Sequence, residues 1–150
     1  MDYIKVLYSL ALSFLGSVGF GMIFEVRKNR LLCVGIGGVI CWGMYLFSRD
    51  VMGCDILISS LISSASTFTY VEIMSRILRI PTIILFTPSS VPLIPGGSLY
   101  YAMNAAVQKN LEKTVMYGMQ TLQCALGIAL GISLVFAVCE MREKFKHIKK

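Results

Sequence analysis

The residues best suited to chemistry in this chain lie between Thr87 and Tyr101. Three prolines (Pro88, Pro92, Pro95), the adjacent glycines Gly96 and Gly97, and four hydroxyl residues interrupt an otherwise apolar region there. Proline lacks a backbone N–H and clashes with the preceding helical turn. In hydrocarbon an unpaired backbone group costs several kcal/mol, so a broken helix at membrane depth must be covered by protein or line a wet cavity. Breaks of this kind are where secondary transporters bind solute. The pattern predicts an apolar half-helix over residues 82–86 and no regular helix across 87–94. The Gly96-Gly97 pair is expected to allow close backbone approach, with a second half-helix over 98–108. Free amides at that restart carry partial positive charge and suit a carboxylate. Tyr100 and Asn104, four residues apart, share a face of it. The candidate solute-binding set is therefore Ser89, Ser90, Pro92, Pro95, Gly96, Gly97, Tyr100 and Asn104. The competing reading is a proline kink that serves packing alone.

A second group of polar residues could form a path to such a site. Ser59, Ser63, Ser66 and Tyr70 recur at helical spacing, with Ser60, Ser64 and Thr67 beside them. Ser63 and Thr67 are candidates for lining a solute path; hydroxyls bonded back to the backbone in a tight helix contact would look the same. Glu72 is an ionisable residue near a span end and a candidate for proton coupling, although Arg76, four residues on, can simply pair with it. Gln120 and Gln123 can meet solute or bridge helices. Gly127 and Gly131 form G-x-x-x-G, with Gly118 upstream, and Gly35, Gly37, Gly38 and Gly43 recur in an earlier apolar block. Both groups predict close helix contacts, within the chain or between subunits, whether copies of this chain or a different one.

Little supports enzyme chemistry. The single histidine is His147, and Asp2, Asp50 and Asp55 flank apolar blocks. There is no H-E-x-x-H, nucleophile elbow or P-loop. Cys33, Cys41, Cys54, Cys124 and Cys139 form no C-x-x-C pair, so neither a zinc site nor a disulfide framework is expected. The reading is a non-enzyme with no cofactor and no metal.

These residues must be positioned by membrane helices. The 150 residues are 56% hydrophobic, the mean hydropathy is +0.73, and charged residues make up only 15%, against roughly 25% in soluble domains. The expected fold is all-α, a polytopic transmembrane helical bundle in one membrane domain. About five spans fit: residues 4–24, 31–47, 54–73, the broken segment 81–108, and 114–138, with a charged tail over 140–150. The first block reads as a retained helix rather than a signal peptide, because Gly16, Gly19 and Gly21 interrupt its centre and no clear cleavage site follows. The net charge of +6 does not point to nucleic acid, since the basic residues sit between apolar blocks and at the C-terminus. With five crossings, ten of the fourteen Lys and Arg residues fall on one side: Arg27, Lys28, Arg30, Arg76, Arg79 and the tail residues. Lys5, Arg49, Lys109 and Lys113 fall on the other. Positive charge favours the cytoplasm, so the C-terminus is expected inside and the N-terminus outside. A broken segment that dips in and returns would leave four crossings and a weaker bias.

The run Val91-Pro92-Leu93-Ile94-Pro95-Gly96 resembles the V-P-x-x-P-G signature of the threonine/serine exporter family. Gly19-Phe20-Gly21-Met22-Ile23-Phe24, closing the first span, is also similar to that family. The resemblance covers essentially the whole chain and implies a short, membrane-only member, similar to the C-terminal half of longer exporters. It further implies a larger membrane subunit of the same family as partner, a bacterial cytoplasmic (inner) membrane, and a small-molecule substrate such as threonine, serine or a dicarboxylate like succinate. Coupling to protons is implied by analogy. A purely stabilising subunit with no substrate contact is the alternative.

Overall fold

The computed structural model describes residues 3–148. Asp2, Lys149 and Lys150 lie outside the described residues, as do the side chains of Arg142, Lys146 and His147. The architecture is all-helical, with no strand among the described residues. In chain order it comprises α1 (Tyr3–Ile23), α2 (Lys28–Leu46), a π-helical turn (Phe47–Val51) and α3 (Ile56–Leu78). Then come α4 (Thr82–Ser90), a 3-10 turn (Val91–Leu93), α5 (Gly96–Val107) and α6 (Leu111–Ile148). Helices α1, α3 and α6, and α2 with its π turn, are each long and apolar enough to cross a bilayer. The segments Thr82–Leu93 and Gly96–Val107 qualify only as a pair, bent by 53°. The apolar surface left outward by α1, including Ile4, Leu7 and Leu15, suits contact with lipid.

The bend lies later than the proline pattern predicts. Helix α4 runs through Pro88 to Ser90 and passes into the 3-10 turn, so residues 87–93 are helical after all. The reason is where each proline falls. Pro88 deprives one carbonyl, that of Ile84, of its donor, and nearby hydroxyls support the same turns: Thr87 donates to the Ile83 carbonyl (2.9 Å) and Ser90 to that of Thr87 (3.0 Å). Pro92 lies in the first turn of the 3-10 segment and Pro95 is the N-cap of α5, where a missing N–H is no loss. The break itself is confined to Ile94 and Pro95.

Helix α3 is the axis of the fold. Its hydroxyl face is buried, with Ser59, Ser60, Ser63, Ser64 and Thr67 all at or near zero exposure. Ser63 donates to the Cys41 carbonyl of α2 (2.5 Å), Ser60 to Cys124 Sγ of α6 (3.3 Å) and Ser64 to the Gly127 carbonyl (3.4 Å). Thr67 bonds back to the Ser63 carbonyl (2.8 Å). Small hydroxyl residues meeting glycines let α3 and α6 approach to backbone distance. Beyond this layer Val34, Val71 and Leu85 are sealed from solvent, and Phe68 meets Phe86 edge to face with centroids 5.2 Å apart. Gly35, Gly37 and Gly38 of α2 sit against Phe14, Ser89 and Ser17, as close contacts require, whereas a Cβ at Gly43 would meet Leu10 at an ordinary 3.6 Å and one at Gly118 would meet nothing within 4 Å.

Helix direction settles how the bent pair connects. Gly127 faces Leu57 and Ser60, and Gly131 faces Leu61 and Ser64, so α6 advances beside α3 in the same sense. Two parallel helices require the chain between them to return to the starting side. The bent pair does this: Thr82 meets Ser75 near the end of α3 (3.0 Å), Leu93 reaches the level of Cys124, and α5 continues to the turn before Leu111.

The turns follow from local chemistry. Arg79 closes α3 in the left-handed region (φ 53°), with the Ile80 amide bonded to the Ser75 carbonyl (3.0 Å), and Pro81 then caps α4. At the other end Lys109 (φ 56°) reverses the chain, and the Asn110 side chain accepts from the Lys113 amide (3.2 Å) to cap α6.

Candidate solute-binding site

A cavity of about 260 Å³ lies at the helix break, between the end of α2 and the middle of α6. Trp42 and Tyr45 form one wall, their rings stacked at 5.3 Å. The opposite wall is the break itself, from Pro92 to Pro95, followed by Gly97 and Ser98. Gln120 and Cys124 complete it from α6, and Arg49 stands at its mouth on the π-helical turn. Two bonds tie the break to α6: Cys124 Sγ to the Leu93 carbonyl (3.5 Å) and Thr121 Oγ1 to Ser98 Oγ (3.1 Å). Ser98 in turn donates to the Pro95 carbonyl (3.2 Å). Among the described residues no side chain caps the N-terminus of α5. The cavity therefore combines aromatic walls, a carboxamide, hydroxyls and a helix start with donors to offer. Trp42 and Pro92 also wall a second, more apolar cavity on the α1 side, which reaches Leu12 and Gly16.

The residues proposed from the sequence separate into groups. Pro92, Pro95, Gly97 and Gln120 line the cavity, and Gly96 lies within the same turn. The glycine pair does not bring backbones together: a Cβ at Gly96 or Gly97 would meet nothing within 4 Å. Its effect is to leave the start of α5 unshielded, because α5 packs against α6 and no other helix. Ser89 points away from the cavity, fully buried, and donates to the Val34 carbonyl of α2 (3.2 Å). Ser90 bonds within its own helix. Tyr100 is exposed and rests on Tyr101, which meets Tyr117 of α6. Asn104, also exposed, accepts from Gln108 Nε2 (3.4 Å). Ser63 and Thr67 belong to the buried α3 layer rather than to the cavity.

Glu72 lies at the other end of the molecule, beside a separate cavity of about 220 Å³. Both of its carboxylate oxygens are engaged. Oε1 accepts from Arg76 (3.0 and 3.1 Å), and Oε2 accepts from Thr82 Oγ1 at the start of α4 (2.7 Å). Helix α3 runs past residue 73 to Leu78, which puts Arg76 on its last turn, in reach of Glu72. Glu140 borders the same cavity and pairs with Lys144 (3.1 Å). Among the described residues no group of His, Cys, Asp and Glu could hold a metal ion.

A family model described as Threonine/Serine exporter, ThrE, matches residues 9–138. The chain belongs to the threonine/serine exporter family. Comparisons with curated proteins and with solved structures find no match. Membership together with several long apolar helices makes this exporter-family chain a multi-pass membrane protein. The V-P-x-x-P-G run, Val91 to Gly96, contains the helix break, and its residues Pro92 to Pro95 form one wall of the cavity. Among the cavity residues of this family member that escaped the sequence reading, beside Ile56, Ser98 and Cys124, are Trp42, Tyr45 and Arg49. Their spacing of three and four residues places them on one helical face, and that was the available signal. Arg49 read as a loop charge because the apolar block ends at Phe47, whereas helical geometry continues to Val51.

Proposed function

We propose that this chain is the membrane subunit of a two-component secondary exporter for small carboxylate-bearing metabolites. Threonine and serine, or a short dicarboxylate such as succinate, are the substrates of choice. The observation that carries this reading is the cavity at the helix break. At about 260 Å³ it falls just under the roughly 300–1,000 Å³ of sites for drug-sized ligands, which suits a small metabolite. The uncapped start of α5, with Gly97 and Ser98 at the wall, offers amides to a carboxylate. Tyr45 and Gln120 can bond to the rest of the solute, and Trp42 covers its hydrocarbon part. Pro95 and Gly96 hold the break open. Ser89, Ser90, Tyr100 and Asn104 lie outside the cavity.

A larger membrane subunit of the same family supplies the remaining helices, and the pair works in the bacterial cytoplasmic membrane with the C-terminus inside. Export draws on the proton gradient. Glu72, bonded through both oxygens, ties α3 to α4 at the inner rim and does not itself carry the proton.

The test is uptake of labelled threonine, serine and succinate into inverted membrane vesicles. Vesicles containing this chain alone, its larger partner alone and both together are compared. The expected result is uptake that needs both chains and collapses with a protonophore. Pro95→Ala and Gly97→Leu abolish that uptake while membrane abundance holds. Uptake by the partner alone, or loss of the partner from the membrane in these variants, makes this chain a stabilising subunit and refutes the proposal.

A further inference from the structure

We propose that Arg49 is the charge-selecting residue of the cavity and holds the carboxylate of the solute at its mouth. This rests on the exporter reading and adds a residue and a selection rule to it.

Four observations carry the assignment. First, Arg49 lines the cavity that Pro92, Pro95 and Ser98 also line, although the apolar block that holds α2 ends before it. The π-helical turn Phe47–Val51, closed by the Met52 amide on the Phe47 carbonyl (3.4 Å), keeps helical geometry beyond that block. Such turns are frequent at functional sites. Second, the guanidinium is held in place from below. Its Nη1 donates to the Tyr45 hydroxyl (3.1 Å), and Tyr45 is fixed by stacking on Trp42. A guanidinium has five donors in a fork suited to carboxylates, and one of them is spent on Tyr45. Third, Asp50 and Asp55 are close in sequence, yet among the described residues no carboxylate pairs with Arg49. Fourth, among the described residues no Asp or Glu lines the cavity. Its one full charge is positive, and the uncapped start of α5 adds to the same sign. A carboxylate is stabilised there; a cationic amine without a carboxylate has no acid to meet. The cavity thus discriminates by the carboxylate group itself, whichever carboxylate-bearing metabolite is carried.

The experiment uses inverted vesicles containing this chain with its larger partner. The probes are labelled L-threonine and labelled succinate, with unlabelled L-threonine and L-threoninamide as competitors. The amide keeps the side chain and the amine but lacks the carboxylate. The expected wild-type result is competition by threonine that is at least tenfold stronger than by threoninamide. In Arg49→Gln the KM for the transported label rises about tenfold, the scale of one charge-assisted hydrogen bond at a partly exposed site. The preference for threonine over threoninamide collapses with it, at unchanged membrane abundance. Arg49→Lys keeps the charge without the fork and retains the preference. A residue that only anchors the helix at the membrane surface would leave the threonine-to-threoninamide ratio untouched, so an unchanged ratio and KM in Arg49→Gln overturns the assignment. If Arg49→Gln fails to reach the membrane, Arg49→Lys decides: a raised KM with the preference retained supports the assignment, because the charge stays and the fork is lost, whereas an unchanged KM or loss of the preference overturns it. Absence of uptake of any label by wild-type vesicles defeats the exporter reading and this assignment together. Uptake with an unchanged ratio defeats only the assignment.

Discussion

Gly127 and Gly131 provide the sharpest test of the packing that positions the site. A Cβ at Gly127 would stand 2.5 Å from the Leu57 carbonyl oxygen, 2.8 Å from Ser60 Cβ and 3.2 Å from the Leu61 amide nitrogen. At Gly131 it would stand 2.6 Å from the Leu61 carbonyl oxygen and 3.1 Å from the Ala65 nitrogen, and would also overlap Ser64 Oγ. Side chains can rotate aside, but the carbonyl oxygens belong to α3 itself. Adding one methyl group therefore forces α6 away from α3 and weakens the bonds from Ser60 to Cys124 and from Ser64 to the Gly127 carbonyl. Overpacking of a tight contact costs about 1–3 kcal/mol. At roughly 2–4 °C per kcal/mol for a chain of this size, Gly127→Ala or Gly131→Ala lowers the melting temperature by roughly 2–12 °C. The double variant loses less than the sum, because both residues press on the same turns. Gly118→Ala is the control. Nothing lies within 4 Å of its Cβ position, and replacing glycine in a helix interior gains up to about 1 kcal/mol, so its melting temperature holds or rises. The assay is thermal melting of detergent-solubilised protein followed by size-exclusion chromatography. Ser64→Ala should not rescue Gly131→Ala, since the backbone obstruction remains. Melting of Gly127→Ala and Gly131→Ala at the temperature of Gly118→Ala would refute the backbone-contact argument.

Glu72→Gln should keep protonophore-sensitive uptake and melt within a few degrees of wild type. Its ion pair with Arg76 is a partly exposed i,i+4 pair of the kind worth about 0.3–0.5 kcal/mol, and an amide still accepts from Thr82; loss of protonophore sensitivity would make Glu72 the coupling group instead. Cysteines introduced as Lys109→Cys and Arg79→Cys, in a background lacking native cysteines, should react with an impermeant maleimide from opposite sides of the membrane. Labelling from the same side would mean that the bent pair re-enters rather than crosses.

Much of the architecture is legible in the chain because membrane helices announce themselves locally. Continuous apolar blocks mark the spans, and the small residues Ser60, Ser64, Gly127 and Gly131 mark the α3–α6 contact at four-residue spacing. Three features are not local, and for that reason the sequence conceals them. The bend falls at Ile94 and Pro95 rather than across residues 87–94, because tolerance of Pro88 and Pro92 depends on their place within a turn and on hydroxyls that support those turns. Ser89 and Ser90 look like solute ligands by composition, but the rotation of α4 about its axis directs Ser89 at Val34 and leaves Ser90 bonded to Thr87. Arg49 joins the cavity only because the π-helical turn continues past the apolar block and brings that face opposite the break. Hydropathy alone assigns the residue to a loop.

The two halves of the bent pair have different neighbours, and this bears on how a cavity at their joint can work. Helix α4 packs against α1, α2 and α3, whereas α5 packs against α6 and no other helix. Leu85 and Ser89 are sealed within the first group, but Tyr100, Met103 and Val107 stay exposed on the second. The stack of Trp42 on Tyr45 belongs to the first body, and Ser98 and Gln120 belong to the α5–α6 pair. The cavity is thus walled from both sides of the break, with Ile94 and Pro95 between them. Because α6 is held against α3 at Gly127 and Gly131, rotation at these two residues moves α5 and changes the distance from Tyr45 and Arg49 to Ser98 without disturbing the α1–α4 core. Among the described residues only two side-chain bonds, Cys124 to the Leu93 carbonyl and Thr121 to Ser98, tie the break to α6. Of these, the Cys124 bond crosses the joint, and a thiol is a weak donor. A solute that bonds to both walls at once therefore favours the conformation in which they are close, by its difference in affinity for the two arrangements. That differential contact is what an alternating-access cycle requires of its binding site.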